Sequence, residues 1–233
     1  IYALHNWPEL PAGQVAVRAG PVMAAADEFH LRLIGRGGHA AMPHLCLDPV
    51  VAAAQLVTAF QGLISRETDP LDAAVISVTR IEAGTASNII PEEARMGGTV
   101  RSFRDQTRNR LEAGMARVAQ GIAAAAGLEL VFDYQRGYPV TINHAAQVAI
   151  AAAAAAQVVG PDQVLTDQPP AMGAEDFAFL LERRPGAYLW IGQGGGPGSC
   201  SIHNPHYDFN DGILPIGAGI LAALVEQRLK RAS

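Results

Sequence analysis

Between residues 24 and 136 the apolar residues change period in a fixed order, and that order leaves few folds open to the chain. Ala26 to Ile34 alternates polar and apolar residues, the period of a half-buried strand. Gly35, Gly37 and Gly38 punctuate it. Asp48 then offers a helix cap with Pro49 at the first helical position, and the apolar spacing predicts a helix to about Ile64. Ala73 to Ile81 reads as a second strand, Gly84 to Asn88 as a loop, and Glu93 to Phe103 as a third strand. Asp105 or Thr107 is expected to cap a second helix that runs to about Ala126 and stops at Gly127. Leu128 to Tyr134 closes the set. Strand-helix-strand written twice makes a ferredoxin-like βαββαβ sandwich, an antiparallel four-stranded sheet with two helices on one face.

The flanking segments, 1–23 and 137–233, follow another pattern. Ile1 to Leu4 is a short apolar strand that runs into His5-Asn6-Trp7-Pro8. An alanine-rich helix is expected over about 144–159, then a link at Pro169-Pro170 and a short helix opened by Gly173-Ala174-Glu175-Asp176. Ala187 to Gly192 is an apolar strand, and a last helix is expected from Leu214 to Lys230. Helices alternating with apolar strands predict an α/β layer with a mostly parallel sheet, split in sequence by the sandwich. By itself this layer looks incomplete, and a chain opening on Ile1 rather than Met is expected to lack its natural N-terminus.

Composition removes several classes of function. The 233 residues carry a net charge of −5, which argues against a nucleic-acid partner. No apolar run approaches the roughly 20 residues of a membrane-spanning helix. Two cysteines, Cys46 and Cys200, are too few for a disulfide framework, so a reducing, cytoplasmic setting is the expectation.

Few residues have the chemistry for a site. His5 and His203 occur in similar settings, Leu4-His5-Asn6-Trp7-Pro8 and Ile202-His203-Asn204-Pro205, where a neutral imidazole suits a divalent metal. A His-Asn pair before a turn also serves merely to bond the backbone. His39 lies between glycines and alanines in Gly35 to His44, exposed enough to donate to a developing oxyanion or to be incidental to a glycine hairpin. Asn88 and Arg101 would grip a carboxylate if they converged; otherwise one is turn chemistry and the other a solvated strand charge. Glu175 and Asp176 suit a helix N-terminus. The glycine-rich loop Gly192 to Gly198 lacks the Lys-Ser/Thr of a phosphate-binding loop.

Taken together, ALHNWPELPAG from Ala3, GRGGHAAMPH from Gly35, DPVVAAAQLV from Asp48, GTASNIIPEEARMGGTVRSF from Gly84, MGAEDFAFLL from Met172 and IHNPHYDFND from Ile202 resemble the aminoacylase and hippurate hydrolase family of metal-dependent amidohydrolases, which includes the indole-3-acetyl-amino-acid hydrolases. The resemblance spans nearly the whole chain in the family's order. It implies an α/β metallohydrolase catalytic domain with an inserted ferredoxin-like lid that forms a homodimer. It also implies two divalent metal ions (Zn, or Mn, Co or Ni) and a small N-acyl amino acid as substrate. His5 and His203 would be metal ligands, and His39 would polarise the scissile carbonyl in the partner's site. Asn88 and Arg101 would hold the substrate's carboxylate. Family members carry a Cys-x-His pair and a Glu-Glu pair, including the general base, ahead of the segment matching ALHNWP, and neither pair precedes that segment in this sequence. The chain alone is therefore expected to be inactive and to hold metal weakly. A non-catalytic dimerisation module and a dipeptidase or exopeptidase of the same superfamily are the rival readings.

Overall fold

The computed structural model describes residues 1–194 and 200–229, so most of the glycine-rich loop and the end of the last predicted helix lie outside the described residues. In chain order the elements are β1 (Tyr2–Trp7), β2 (Val15–Ala16), β3 (Gly20–Met23), β4 (Ala25–Ile34), β5 (Gly38–His39), α1 (Pro49–Glu67), β6 (Ala74–Ala83), β7 (Ile89–Ile90), β8 (Glu93–Ser102), α2 (Asp105–Ala125) and β9 (Glu129–Arg136). After these come β10 (Thr141–Asn143), α3 (Ala145–Val159), β11 (Val164–Leu165), α4 (Phe177–Leu181), β12 (Ala187–Gly192) and α5 (Leu214–Arg228). They divide into two compact units: Ile1–Met23 with Thr141–Ala171 and Glu175–Ser233, and Ala24–Val140 with Met172–Ala174.

The second unit is a four-stranded antiparallel sheet in the order β6-β8-β4-β9, with α1 and α2 packed on one face. Strict alternation in β4 puts Phe29, Leu31 and Leu33 into the core. There they meet Leu56, Phe60 and Leu63 of α1 and Leu111 and Met115 of α2, with the Phe29 and Phe60 rings edge to face at 5.8 Å. Asp48 caps α1 by accepting from the Val50 amide at 2.8 Å, with Pro49 behind it. His44 takes no part in that cap and sits exposed in a single 3-10 turn.

The expected cap of α2 is corrected. Arg104 holds the N-cap position without a side-chain bond, and the Thr107 hydroxyl instead donates to the buried Asp72 carboxylate. The C-terminus of α2 ends as a Schellman turn, with the Gly127 amide on the Ala124 carbonyl and the Leu128 amide on the Ala123 carbonyl. Gly127 takes φ +68° there, which an L side chain rarely adopts.

The first unit is built on a four-stranded sheet in the order β1-β12-β2-β11. β1 and β12 are parallel, as are β2 and β11, but β12 and β2 run antiparallel, so the sheet is mixed. β12 is buried along its whole length, which its unbroken apolar sequence required. Its side chains alternate between two cores. Ala187, Leu189 and Ile191 pack with Ala151, Ala154 and Ala155 of α3 and Ile220 and Leu224 of α5. Tyr188 and Trp190 face Leu10, Met23, Phe177 and Leu181 on the other side.

Candidate functional site

His5 sits near the C-terminal end of β1, half-buried, opposite Trp190 of β12. Its Nδ1 lies 2.7 Å from the Asn6 carbonyl, so the imidazole donates there and leaves Nε2 as the free lone pair. The ring is edge-on to Trp7 and tilted against Tyr188, at centroid distances of 6.4 and 6.3 Å. Trp7 in turn stacks on Trp190 at 4.1 Å. Aromatic packing thus restricts where the imidazole can turn.

His203 is exposed and takes φ +68°, the one non-glycine residue at positive φ among the described residues. That conformation is uncommon outside glycine and costs energy the surrounding turn must hold. The segment is fastened to β1 through polar side chains. Asn6 Nδ2 donates to the Tyr207 hydroxyl, which donates to Gln193 Oε1 at 2.6 Å, while Gln193 Nε2 reaches the Asp208 carbonyl at 3.2 Å. Asn210 Nδ2 bonds the Gln193 carbonyl at 2.8 Å. The two His-Asn segments, far apart in sequence, therefore meet through Asn6 and Tyr207. His206 and Asp208 are exposed beside this chain of bonds.

Glu175 also belongs to this neighbourhood, as more than helix-end acid. The Tyr188 hydroxyl donates to its Oε2 at 2.5 Å, and the Phe177 amide approaches Oε1 at 3.5 Å. Burial acts to raise its carboxyl, but hydrogen bonds with Tyr188, Asp176 and the Phe177 amide outweigh it, so Glu175 is held below the usual carboxylate range. Tyr188 moves the other way, raised first by burial and then by Glu175.

In the other unit, His39 is exposed on β5, which pairs with β7 so that Gly38 faces Ile90 and His39 faces Ile89. Its Nδ1 accepts from the Ala41 amide at 3.1 Å, fixing the ring with Nε2 outward, and the Ala40 amide bonds the Asn88 carbonyl at 3.0 Å. Gly37 and Gly38 are required here: a Cβ at Gly37 would lie 2.7 Å from the Ile90 carbonyl, and one at Gly38 2.6 Å from Cys46 Sγ. His39 and Asn88 are therefore neighbours.

Arg101 is not. It pairs with Ala26 and Val75, while Glu93, beside β7, pairs with Ile34 at the far end of β8. Eight steps along a strand separate Glu93 from Arg101, about 26 Å. Asn88 and Arg101 of one chain do not converge on one carboxylate.

The sequence singled out His5, His39, Asn88, Arg101 and His203; it did not single out Asn6, Tyr188, Gln193 or Tyr207, whose roles depend on contacts across the fold. The repeated His-Asn pair was the one available signal for Asn6. Among the described residues no group of three or more His, Cys, Asp or Glu side chains is placed to hold a metal ion. His5 and His203 supply two imidazoles, fewer than the three protein ligands of even an open catalytic zinc site. The described residues do not complete a metal centre by themselves.

A histidine-bearing edge of a mixed α/β sheet and a βαββαβ insertion with its own exposed histidine make this a two-unit α/β protein. Residues 1–227 match the model of peptidase family M20/M25/M40, and the chain belongs to that family. It is 38% identical over 224 residues to the N-acetylcysteine deacetylase of Bacillus subtilis, covering 96% of this chain and 57% of that protein. It is 35% identical over 233 residues to IAA-amino acid hydrolase ILR1-like 2 of Arabidopsis thaliana, covering 99% of this chain and 53% of that one. Among solved structures, the YXEP protein of Bacillus subtilis, a dinuclear metal binding peptidase from the M20 family, superposes with a TM-score of 0.78 at 32% identity, over 96% of this chain and 55% of that one. The chain thus spans little more than half the length of these relatives. Family and fold agree with the metal-dependent amidohydrolase resemblance, and the relatives named above include amide hydrolases.

Proposed function

We propose that this chain is part of an amidohydrolase that cleaves the amide bond of N-acyl amino acids, hippurate-like substrates included, with the help of divalent metal ions. The observation that supports the reading is the Asn6–Tyr207 hydrogen bond, which fastens the segment after His203 to the strand that carries His5. Two divalent cations there, when bound, supply Lewis-acid polarisation of the amide carbonyl. His5 and His203 offer them imidazole nitrogen, the free Nε2 in the case of His5. His39, exposed and oriented by the Ala41 amide, donates to the developing oxyanion. Asn88 and Arg101 recognise the free carboxylate. Because Arg101 lies about 26 Å along β8 from Glu93, at the opposite end of that strand from the turn that carries Asn88, their joint use requires residues from two copies of the chain. That supports a homodimer formed through the unit that carries them. The edge strand β6, with Ile81 53% exposed, is the surface offered for it.

The family resemblance implies a general base outside the segments that this chain matches, so the chain alone is expected to be inactive. The test is amine release from N-acetyl-, benzoyl- and indole-3-acetyl-amino acids in zinc or manganese. It is run on this chain alone and on the chain co-expressed with the part of the Bacillus subtilis N-acetylcysteine deacetylase that it does not match. Activity only in the second case, lost in His5→Ala and His203→Ala, is the expected result. Turnover by the chain alone removes the claim of inactivity, and no turnover in either removes the hydrolase reading.

A further inference from the structure

The loop that carries His39 faces solvent without a single charge. Every residue from His39 to Leu45 is exposed, yet from Gly37 to Cys46 there is no Lys, Arg, Asp or Glu. Surface loops are ordinarily polar, and a contiguous exposed apolar patch marks a place where something binds. Met42 and Leu45 are 49% and 58% exposed, and Ile89, the partner of His39 across β5 and β7, is 55% exposed. Opposed residues of an antiparallel pair share one face of the ladder, with Cβ atoms about 5 Å apart. Ile89 therefore borders the His39 imidazole. Met42 follows through a tight turn, its amide on the His39 carbonyl at 2.8 Å, and the Leu45 amide bonds the Met42 carbonyl at 3.1 Å. A turn of this kind keeps its ends within about 7 Å, and residues three apart in a 3-10 turn fall on one side.

This arrangement is fixed before anything binds. Arg36 and Leu47 close the base of the loop with paired backbone bonds of 3.0 and 2.9 Å, and Arg36 Nε donates to the Leu45 carbonyl at 3.0 Å. Gly38 lets the hairpin approach Cys46 Sγ more closely than a Cβ would permit. The imidazole itself is held through Nδ1 by the Ala41 amide. A ligand that settles on Met42, Leu45 and Ile89 thus has little backbone to order, and that ordering is a main cost of binding.

We propose that Met42, Leu45 and Ile89 cradle the acyl group of the substrate and select aromatic acyl groups over acetyl. The proposal rests on the amidohydrolase reading above and deepens it by naming the substrate class. The occupant follows from the chemistry of the amide. The carbonyl whose oxygen His39 meets is bonded directly to the acyl chain, so that chain begins beside the imidazole and beside the apolar side chains around it. The substrate's carboxylate needs polar partners and finds Asn88, whose carbonyl holds the Ala40 amide at 3.0 Å. A flat ring suits the remaining surface, because a thioether such as that of Met42 packs favourably on an aromatic group.

Two measurements test the cradle. In the first, the methyl groups of Met42, Leu45 and Ile89 are labelled in the whole chain and followed by NMR during titration with N-benzoylglycine or N-acetylglycine, which differ only in the acyl group. Saturable shifts at these methyls are expected with N-benzoylglycine at concentrations tenfold or more below those needed for N-acetylglycine. Equal responses to the two, or none at these methyls, would overturn the proposal. In the second, Met42→Gln with Leu45→Gln is assayed in the co-expressed pair described above, with circular dichroism as the check of folding. The ratio of kcat/KM for N-benzoylglycine to that for N-acetylglycine should fall tenfold or more, chiefly through KM. An unchanged ratio sinks the assignment of Met42 and Leu45. If the unsubstituted pair turns over neither compound, the hydrolase reading fails, and the methyl shifts still decide whether these residues take the aromatic acyl group.

Discussion

Glu93 accepts from two guanidiniums at once, Arg32 at 2.7 Å and Arg95 on its other oxygen, on the sheet face away from the helices. Those two hydrogen bonds hold its carboxyl at about 2 instead of the ordinary 4.5. A carboxylate whose folded pKa is depressed stabilises the fold at pH values above its unfolded pKa. The contribution fades as pH falls from about 4.5 toward 2. Glu93→Gln should therefore lower the urea midpoint at pH 7, with the gap to the wild type closing as pH falls through 3. A gap constant from pH 7 to pH 3 would refute the assignment. At this scale the sequence was legible where chemistry is local, as in the Asp48 cap. Tyr207 was not legible, because its partners Asn6 and Gln193 are distant in sequence, and no periodicity encodes such a contact. Tyr207→Phe removes the bond to Gln193 and leaves the ring. It should lower the affinity for zinc of the complex with the relative's segment several-fold, read by calorimetry, if the link positions His203.

Elements were more legible than side-chain networks, since period and capping belong to a single segment. The six elements of the βαββαβ unit fall within a few residues of their expected ends because the apolar alternation in β4 and the stop at Gly127 are unambiguous. What joins those elements was hidden. Asp27 of β4 is 2% exposed and is bonded by Arg108 of α2, by the Tyr134 hydroxyl of β9 at 2.8 Å and by the Gly137 amide at 3.1 Å. The carboxylate is thus paired and fully hydrogen-bonded, which is what makes burying it tolerable. Burial and the Asp27 bond push the Tyr134 hydroxyl above its ordinary range. Arg108→Ala leaves a buried carboxylate without its cation and should cost about 3–5 kcal/mol. Arg108→Met with Asp27→Leu should recover much of that loss, since an apolar pair has no charge to strand. Urea denaturation of the single and double variants decides it, and a double variant no better than the single would contradict the account.

Three apolar cores with no shared residue set the behaviour of the whole molecule. One gathers β4, β8, α1 and α2 around Phe29 and Phe60; a second gathers β12, α3 and α5 around Leu189 and Ile220, and a third lies on the opposite side of β12 around Tyr188 and Trp190. The sequence pointed to this division through the change of pattern on either side of the insertion, but it did not disclose how tight each core is. Gly98 is the clearest case. It reads as a defect in a strand, yet a Cβ there would lie 1.9 Å from the Ser77 carbonyl and 2.8 Å from the Phe29 ring. Gly98→Ala must therefore displace either strand β6 or a core aromatic, at about 1–3 kcal/mol or more. Leu189→Ala, at a fully buried position, should cost about 2–5 kcal/mol in the second core. Each core closes on its own residues, so the two losses should fall on different transitions. Calorimetric melting of the chain is expected to resolve two components, one lowered by Gly98→Ala and the other by Leu189→Ala, and residues 24–140 alone should melt cooperatively. If both substitutions lower a single transition equally, the cores unfold as one cooperative unit.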